Sequence, residues 1–307
     1  MKALVTGGAG FIGSNLTDAL IAQNHEVIVL DNLSTGRREN VHPRARLVEA
    51  DITNRQHLMP HFAGVDWVFH CAALPRVQLS IEDPVATNDA NVNGTLNVLL
   101  SAREAKVKRV VYSASSSAYG NAATLPLQET MLPSPMSPYG LQKYVGEHYA
   151  RLFSLLYGLP TVSLRYFNVY GQRMASSGAY LTVIAVFLQR KARGETLTIY
   201  GDGTQTRDFT FVGDVVAANL LAASSDTVGR GEVMNIGAGR NYSVNEIARR
   251  IGGVVEYLPP RVEPHDTLAD TTIARELLGW EPAVTLEEGI QRTVQWFEQQ
   301  HEAENQK

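Results

Sequence analysis

Over the first half of the chain, short apolar runs alternate with stretches of helical periodicity. Ala3 to Thr6, Val27 to Asp31, Arg46 to Asp51, Trp67 to Ala73, Arg109 to Ser115 and Thr161 to Phe167 read as strands. Several are apolar at consecutive positions, as a strand covered by helices on both faces must be. Between them, Ser14 to Gln23, Val85 to Glu104 and Pro138 to Leu156 carry the helical repeat. Ser137 supplies an N-cap before the last of these, with Pro138 at the first helical position. This alternation predicts an α/β fold with a doubly wound parallel sheet.

Beyond Phe167 the texture changes to mixed short strands and helices with more Gly and Pro. Leu197 to Tyr200, Met234 to Ile236 and Val254 to Leu258 read as strands of a smaller, mixed α/β C-terminal lobe. Ser243 with Glu246, and Thr285 with Glu288, have capping-box spacing and mark two helices. Gln299 to Lys307 reads as a frayed tail. The expected division is 1–166 for the sheet domain and 167–307 for the lobe, with 208–235 returning to the sheet domain.

At 307 residues, 44% hydrophobic and 19% charged, the chain can bury a large core. Its net charge of -4 comes from mixed signs, with no basic run longer than Arg37-Arg38 or Arg249-Arg250, which argues against nucleic acid as a partner. The single cysteine, Cys71, has no intramolecular disulfide partner, and no stretch approaches the ~20 apolar residues that span a bilayer. A soluble, cytoplasmic protein with no membrane partner is expected. His70 and Cys71 fall on a buried strand without metal-ligand spacing and are read as core, so no metal is assigned.

The first strand runs into Gly7-Gly8-Ala9-Gly10-Phe11-Ile12-Gly13 and then a helix. Glycines there let the backbone turn tightly and approach a pyrophosphate, which the helix N-terminus attracts through its free N–H groups. Asp31 ends the second strand, where a carboxylate can accept hydrogen bonds from an adenosine ribose. That carboxylate would repel a 2'-phosphate, so NAD is favoured over NADP, although Arg37 and Arg38 stand nearby. The sheet is therefore read as a dinucleotide-binding Rossmann sheet.

Tyr139 and Lys143 stand at i and i+4 of one helix and share a face. A tyrosine hydroxyl titrates near ~10, and making it a base at neutral pH asks for about 4 kcal/mol. A lysine cation at ~5 Å and an effective dielectric of ~20 supplies about 3 kcal/mol. Ser113-Ala114-Ser115-Ser116-Ser117 closes a strand with hydroxyls at its C-terminal end, where ligands of open α/β sheets bind. Tyr112, Tyr144 and Tyr149 lack that context and are read as packing residues.

With Asn91-Val92-Asn93-Gly94-Thr95, Arg165-Tyr166-Phe167-Asn168 and Arg207-Asp208, these motifs follow one another over nearly the whole chain. In that order they resemble the extended short-chain dehydrogenase/reductase family, and within it the NAD-dependent UDP-hexose and UDP-N-acetylhexosamine 4-epimerases. The resemblance implies that Ser115, Tyr139 and Lys143 are catalytic, with Lys143 also holding the nicotinamide ribose. It implies cofactor contacts at Gly7, Gly10, Phe11, Ile12, Gly13 and Asp31. Further ones fall at Asn32, Ser34, Thr35, Gly36, Asp51 and Ile52, and at Ala72, Ala73, Asn91, Ser113 and Tyr166.

For the UDP-sugar, the resemblance implies contacts from Ser115, Ser117, Tyr139, Asn168 and Val183, from Thr198 and Tyr200 in the segment that embraces uracil, and from Arg207 on the diphosphate. Arg261 stands one residue from the expected phosphate position, and Thr267 stands where side-chain bulk decides whether an N-acetyl group fits. Gly178-Ala179-Tyr180 also resembles the N-acetylhexosamine enzymes. Relatives that eliminate or decarboxylate carry an acid just after the catalytic hydroxyl, whereas Ser116 and Ser117 follow Ser115 here, so reversible C4 epimerisation is expected. Alternatives are a UDP-glucuronate 4-epimerase, a reductase, or a non-catalytic NAD-binding scaffold. The helices over Val85 to Glu104 and Pro138 to Leu156 resemble the family's homodimer bundle.

Overall fold

The computed structural model describes residues 1–174, 182–260 and 264–305. The chain opens with β1 (Lys2–Thr6), α1 (Phe11–Ala22), β2 (Glu26–Asp31), β3 (Arg46–Glu49), α2 (Arg55–Leu58) and β4 (Trp67–His70). It continues through α3 (Val77–Glu82), α4 (Pro84–Asn88), α5 (Gly94–Glu104), β5 (Arg109–Ser115), α6 (Pro138–Tyr157) and β6 (Thr161–Tyr166). Next come α7 (Val183–Ala192), β7 (Leu197–Tyr200), β8 (Thr206–Asp208), α8 (Val212–Ser224) and β9 (Arg230–Ile236). The last elements are β10 (Asn241–Ser243), α9 (Val244–Ile251), β11 (Val255–Leu258), α10 (Thr272–Leu278) and α11 (Leu286–Asn305).

A seven-stranded sheet in the order β3-β2-β1-β4-β5-β6-β9 organises the molecule, and every pairing in it is parallel. Parallel strands need crossovers, and the helices that provide them bury one core on each face of the sheet. One face packs Leu16 and Leu20 of α1 and Val215 and Ala218 of α8 against Val5, Val29 and Met234. The other packs Val98 and Leu99 of α5 and Ala150 and Phe153 of α6 against Leu4, Ile28 and Val110. This two-sided cover is the physical reason β1, β2 and β4 are apolar in succession.

The Met234–Ile236 run is the end of β9, the seventh strand of this sheet. The helical stretch Val85 to Glu104 is interrupted by a wide π-type turn over Asp89–Asn93. The tail expected to fray from Gln299 is a continuation of α11, which reaches Asn305.

Two small sheets lie outside the large one: β7 with β11, parallel, and β8 with β10, antiparallel. A third core of Ile184, Phe187, Leu197, Ile199, Ile247 and Ile251 joins α7 and α9 to β7, and also takes Phe211, Leu286 and Phe297. Ser243 caps α9 with the reciprocal Ser243/Glu246 box, and Thr285 Oγ1 accepts the Glu288 N–H.

Candidate active site

At the C-terminal end of β1 the chain reverses into α1 through a turn that only glycine fits. A Cβ on Gly7 would lie 2.7 Å from the Ala72 nitrogen, and one on Gly13 would lie 2.3 Å from the Gly7 carbonyl oxygen. Gly10 is the N-cap of α1, and no side chain caps it, so the first N–H groups of a twelve-residue helix face outward at the sheet's ligand edge. That donor set fits a dinucleotide pyrophosphate. Phe11 and Ile12, which open α1, are half-buried against the core that joins the lobe.

Next to this turn, the Asp31 carboxylate accepts the Ala9 N–H on Oδ2 at 3.0 Å and the Leu33 N–H on Oδ1 at 2.8 Å. Each oxygen keeps a lone pair for a ribose hydroxyl. Gly36 is pressed against it: a Cβ there would lie 2.9 Å from both carboxylate oxygens. Asn32 donates to Asp51 Oδ2 at 2.7 Å and accepts from Ser34, so the three form one cluster at the adenosine end. Burial opposes ionisation of Asp51, but hydrogen bonds from Thr53 and Asn32 hold its carboxyl below the ordinary range. Ile52 is buried in the core and Thr35 is exposed.

Toward the middle of the sheet edge, Asn91 holds the strand-end loop that carries Ala72 and Ala73. Its amide accepts from Leu74 N at 2.8 Å and donates to the Leu74 carbonyl and to Gln142. The π-type turn is what places Asn91 there. His70 sits between the hydroxyls of Thr6 (2.8 Å) and Thr95 (2.9 Å), and burial, with Lys143 adding to it, pushes its imidazole down to about 3. It is a neutral core histidine.

The serine, tyrosine and lysine converge at the end of β5. Ser137 caps α6 through the Gly140 N–H, and Ser80 accepts the Tyr139 N–H at 3.0 Å, which fixes the first turn. Tyr139 is half-buried; desolvation raises its phenol above the ordinary value, and the neighbouring Ser115 hydroxyl works against that rise. Ser115 Oγ also accepts the Ser117 N–H at 3.1 Å. Lys143 Nζ donates to the Ser113 carbonyl at 2.7 Å and stands 5.0 Å from the Tyr112 ring, and burial lowers its ammonium to about 8.

The Lys143 ammonium thus lies one helical turn from Tyr139, with an N–H donated to the strand carbonyl at the end of β5. Behind them Ser113 Oγ meets Cys71 Sγ and the Tyr166 hydroxyl, and Tyr166 donates to Asn219 at 2.9 Å.

Across the edge, Asn168 takes a left-handed backbone at φ 31°, a conformation Asn tolerates better than other side chains. Its amide donates to Thr267 Oγ1 and to the Asp208 carbonyl, both at 3.2 Å. Thr267 Oγ1 in turn accepts the Asp208 N–H. Arg207 Nη1 donates to the carbonyls of Thr206 and His265, which brings its guanidinium to that same corner. Tyr200 lines a cavity of about 720 Å³ with Gln205, Tyr257, Pro260 and His265. The Thr198 hydroxyl is spent on Glu256 across the β7–β11 ladder, and Val183 begins α7, half-buried. Arg261 and the Gly178-Ala179-Tyr180 segment lie outside the described residues.

Asp208 is the group that sequence reasoning left without a role. Fully buried, it accepts N–H bonds from Ala238, Gly239 and Ala269, tying β8 to the loop after β9 and to the Thr267 segment. Its only signal in the sequence is its place beside Arg207. Among the described residues, no cluster of three His, Cys, Asp or Glu could hold a metal ion, and no helix is long and apolar enough to cross a membrane.

Comparison with known proteins points the same way as this geometry. A putative UDP-glucose 4-epimerase of Methanocaldococcus jannaschii is 44% identical over 96% of this chain and 97% of its own length. The crystal structure of Thermotoga maritima UDP-glucose 4-epimerase with UDP-glucose superposes with a TM-score of 0.94 at 40% identity, over 98% of this chain and 100% of that one. Bacillus cereus UDP-glucuronic acid 4-epimerase, in complex with UDP-glucuronic acid and NAD, gives 0.88 at 31% identity over 98% and 100%. The family model that covers residues 3–237 takes in the glycine turn, Asp31, Ser115, Tyr139, Lys143, Asn168 and Arg207, and the chain belongs to the NAD dependent epimerase/dehydratase family.

Proposed function

We propose that the protein interconverts UDP-hexoses and UDP-N-acetylhexosamines at C4, through a 4-keto sugar and with tightly held NAD. The observation that carries this reading is the placing of Ser115, at the end of β5, beside the first turn of α6 that bears Tyr139 and Lys143, with Ser116 and Ser117 following where an eliminating or decarboxylating enzyme needs an acid. The enzyme is NAD-dependent and works on a nucleotide sugar. Bound NAD supplies a reversible store for the C4 hydride, so that no external reductant is consumed.

Each residue then has a task. Gly7, Gly10 and the first N–H groups of α1 hold the pyrophosphate, Asp31 holds the adenosine ribose and Lys143 the nicotinamide ribose. Tyr139 removes the proton of the C4 hydroxyl, directly or through Ser115, and returns it after the sugar has turned. Burial keeps the phenol protonated in the protein alone, so its work as a base draws on nearby positive charge: Lys143 one helical turn along, and the oxidised nicotinamide. Arg207 holds the diphosphate, Ser117 and Asn168 touch the sugar or diphosphate, and Tyr200 closes on uracil. Thr267, small and bonded to Asn168, leaves room for an N-acetyl group.

The exposed leucines of α6, with Leu155 64% and Leu156 67% exposed, support a homodimer through a bundle of α5 and α6. Light scattering at micromolar concentration tests that assembly, and a monomer would remove it. Likeness to the Bacillus cereus enzyme favours a second substrate reading, UDP-glucuronate. Purified protein incubated with UDP-glucose, UDP-N-acetylglucosamine and UDP-glucuronate, without reductant, separates the two. Formation of the two galacto epimers with no net NADH is expected. Conversion of UDP-glucuronate alone would overturn the substrate choice.

A further inference from the structure

Behind the groups that would touch substrate lies a buried ion pair. Tyr139, Lys143 and Glu147 recur every four residues along α6 and share the face it presents to the sheet. Glu147 accepts from both Nε and Nη2 of Arg165, at 2.8 and 2.7 Å, with side chains only 5% and 3% exposed. Arg165 stands on β6 opposite Ala114, between the register positions of Ser113 and Ser115. The same guanidinium lies 4.7 Å from the centroid of Tyr119, the residue that closes the short turn beginning at Ser115. Tyr119 then donates to Asn235 on β9 at 2.6 Å. One planar cation therefore ties the helix bearing Tyr139 to the segment bearing Ser115.

Stability does not explain such a pair, because replacing a buried ion pair by apolar side chains of similar volume is often neutral or stabilising. Register does. A misplacement of ~1 Å at a reacting group can cost about 10²-fold in rate. We propose that Glu147 and Arg165 are positioning residues that hold the Tyr139 phenol in register with Ser115 for proton transfer. This rests on the epimerase reading given above.

The test uses the NAD-loaded protein. The double variant Glu147→Met/Arg165→Met replaces the pair by apolar side chains, and is expected to melt near wild type with unchanged NAD content and KM but a kcat about 10- to 100-fold lower. A folded double variant with wild-type kcat, or one that loses KM and keeps kcat, overturns the proposal. Arg165→Lys keeps the buried charge but not the planar fork, so it decides the matter if the double variant does not fold. Its kcat is expected to fall at least about fivefold at unchanged KM, and wild-type kcat overturns the proposal.

A second readout needs no turnover. The phenolate absorbance of Tyr139, taken as a difference from Tyr139→Phe, is expected to titrate at higher pH in both variants as the Ser115 contact loosens. A protein that turns over no UDP-sugar yet shows that shift refutes the epimerase reading and supports the clamp. Intact turnover with an unmoved titration refutes the clamp alone.

Discussion

On the glycine-turn side of the site, the glycine turn, Asp31, Asn32 and Asp51 hang from the ends of strands in one parallel sheet, and their partners are close in sequence or one strand away. Leu33 and Ala9 bind Asp31, Thr53 binds Asp51, and Gly13 packs on Gly7. On the sugar side the groups reach their places by distant contacts. Asn168 meets Thr267 across 99 positions and Asp208 across 40, and Thr267 meets Asp208 across 59. The first half is a motif, whereas the second is an assembly of loops that no single stretch of sequence encodes. Cofactor variants should therefore fail as a unit, and sugar-side variants should shift selectivity while the cofactor stays bound.

Tyr139→Phe, at the junction of the halves, should have the largest effect. It removes the proton acceptor and keeps the ring in its half-buried slot, so kcat is expected to fall by about 10³-fold with NAD content and melting temperature nearly unchanged. Steady-state rates together with a cofactor assay check this. An active phenylalanine variant would break the proposed mechanism.

Gly13→Ala probes the motif side. Its Cβ would lie 2.3 Å from a backbone oxygen that no side-chain rotation can move, so the turn must shift. The expected outcome is protein purified without NAD and destabilised by about 1–3 kcal/mol, checked by cofactor release and thermal melting. Retention of NAD at wild-type occupancy would mean that the turn is looser than its contacts indicate.

The difference between the halves also explains what the sequence disclosed. The six early strands and the caps at Ser137 and Ser243 were legible because each depends on local apolar runs or a three-residue hydrogen bond. The break in the Val85 to Glu104 helix was not, because it serves Asn91, whose partners Leu74 and Gln142 come from elsewhere. The shared face of Tyr139 and Lys143 was legible from i, i+4 spacing, but spacing alone cannot show that the ammonium also donates to the Ser113 carbonyl. Asp208 escaped notice for the same reason: its three N–H donors lie 30, 31 and 61 positions away.

Thr267→Tyr sharpens the sugar side. A bulky ring at this buried position would fill the space assigned to an N-acetyl group. The kcat/KM for UDP-N-acetylglucosamine is expected to fall about 10- to 100-fold relative to UDP-glucose, with NAD still bound. Equal loss on both sugars would show that Thr267 matters only through its bonds to Asn168 and Asp208.

The smallest effect should be read in the pH dependence of Asp208. Burial lifts its carboxyl to about 6, against the N–H bonds from Ala269, Ala238 and Gly239 that favour the ionised form. In the unfolded chain the same carboxyl titrates near ~4, so between those values the folded state binds more protons than the unfolded one. Its contribution to stability is complete below ~4 and is lost as pH rises through about 6. Asp208→Asn cannot titrate, so the difference in unfolding free energy, wild type minus variant, should shrink over that window and then level off, by an amount on the order of 3 kcal/mol. Because the Asp208 carboxylate ties β8 to the loop after β9 and to Ala269, two residues beyond Thr267, but touches no part of the glycine turn, the variant should keep its NAD while its KM for the sugar nucleotide rises. Loss of NAD instead would mean that the two halves of the site are coupled through this one carboxylate.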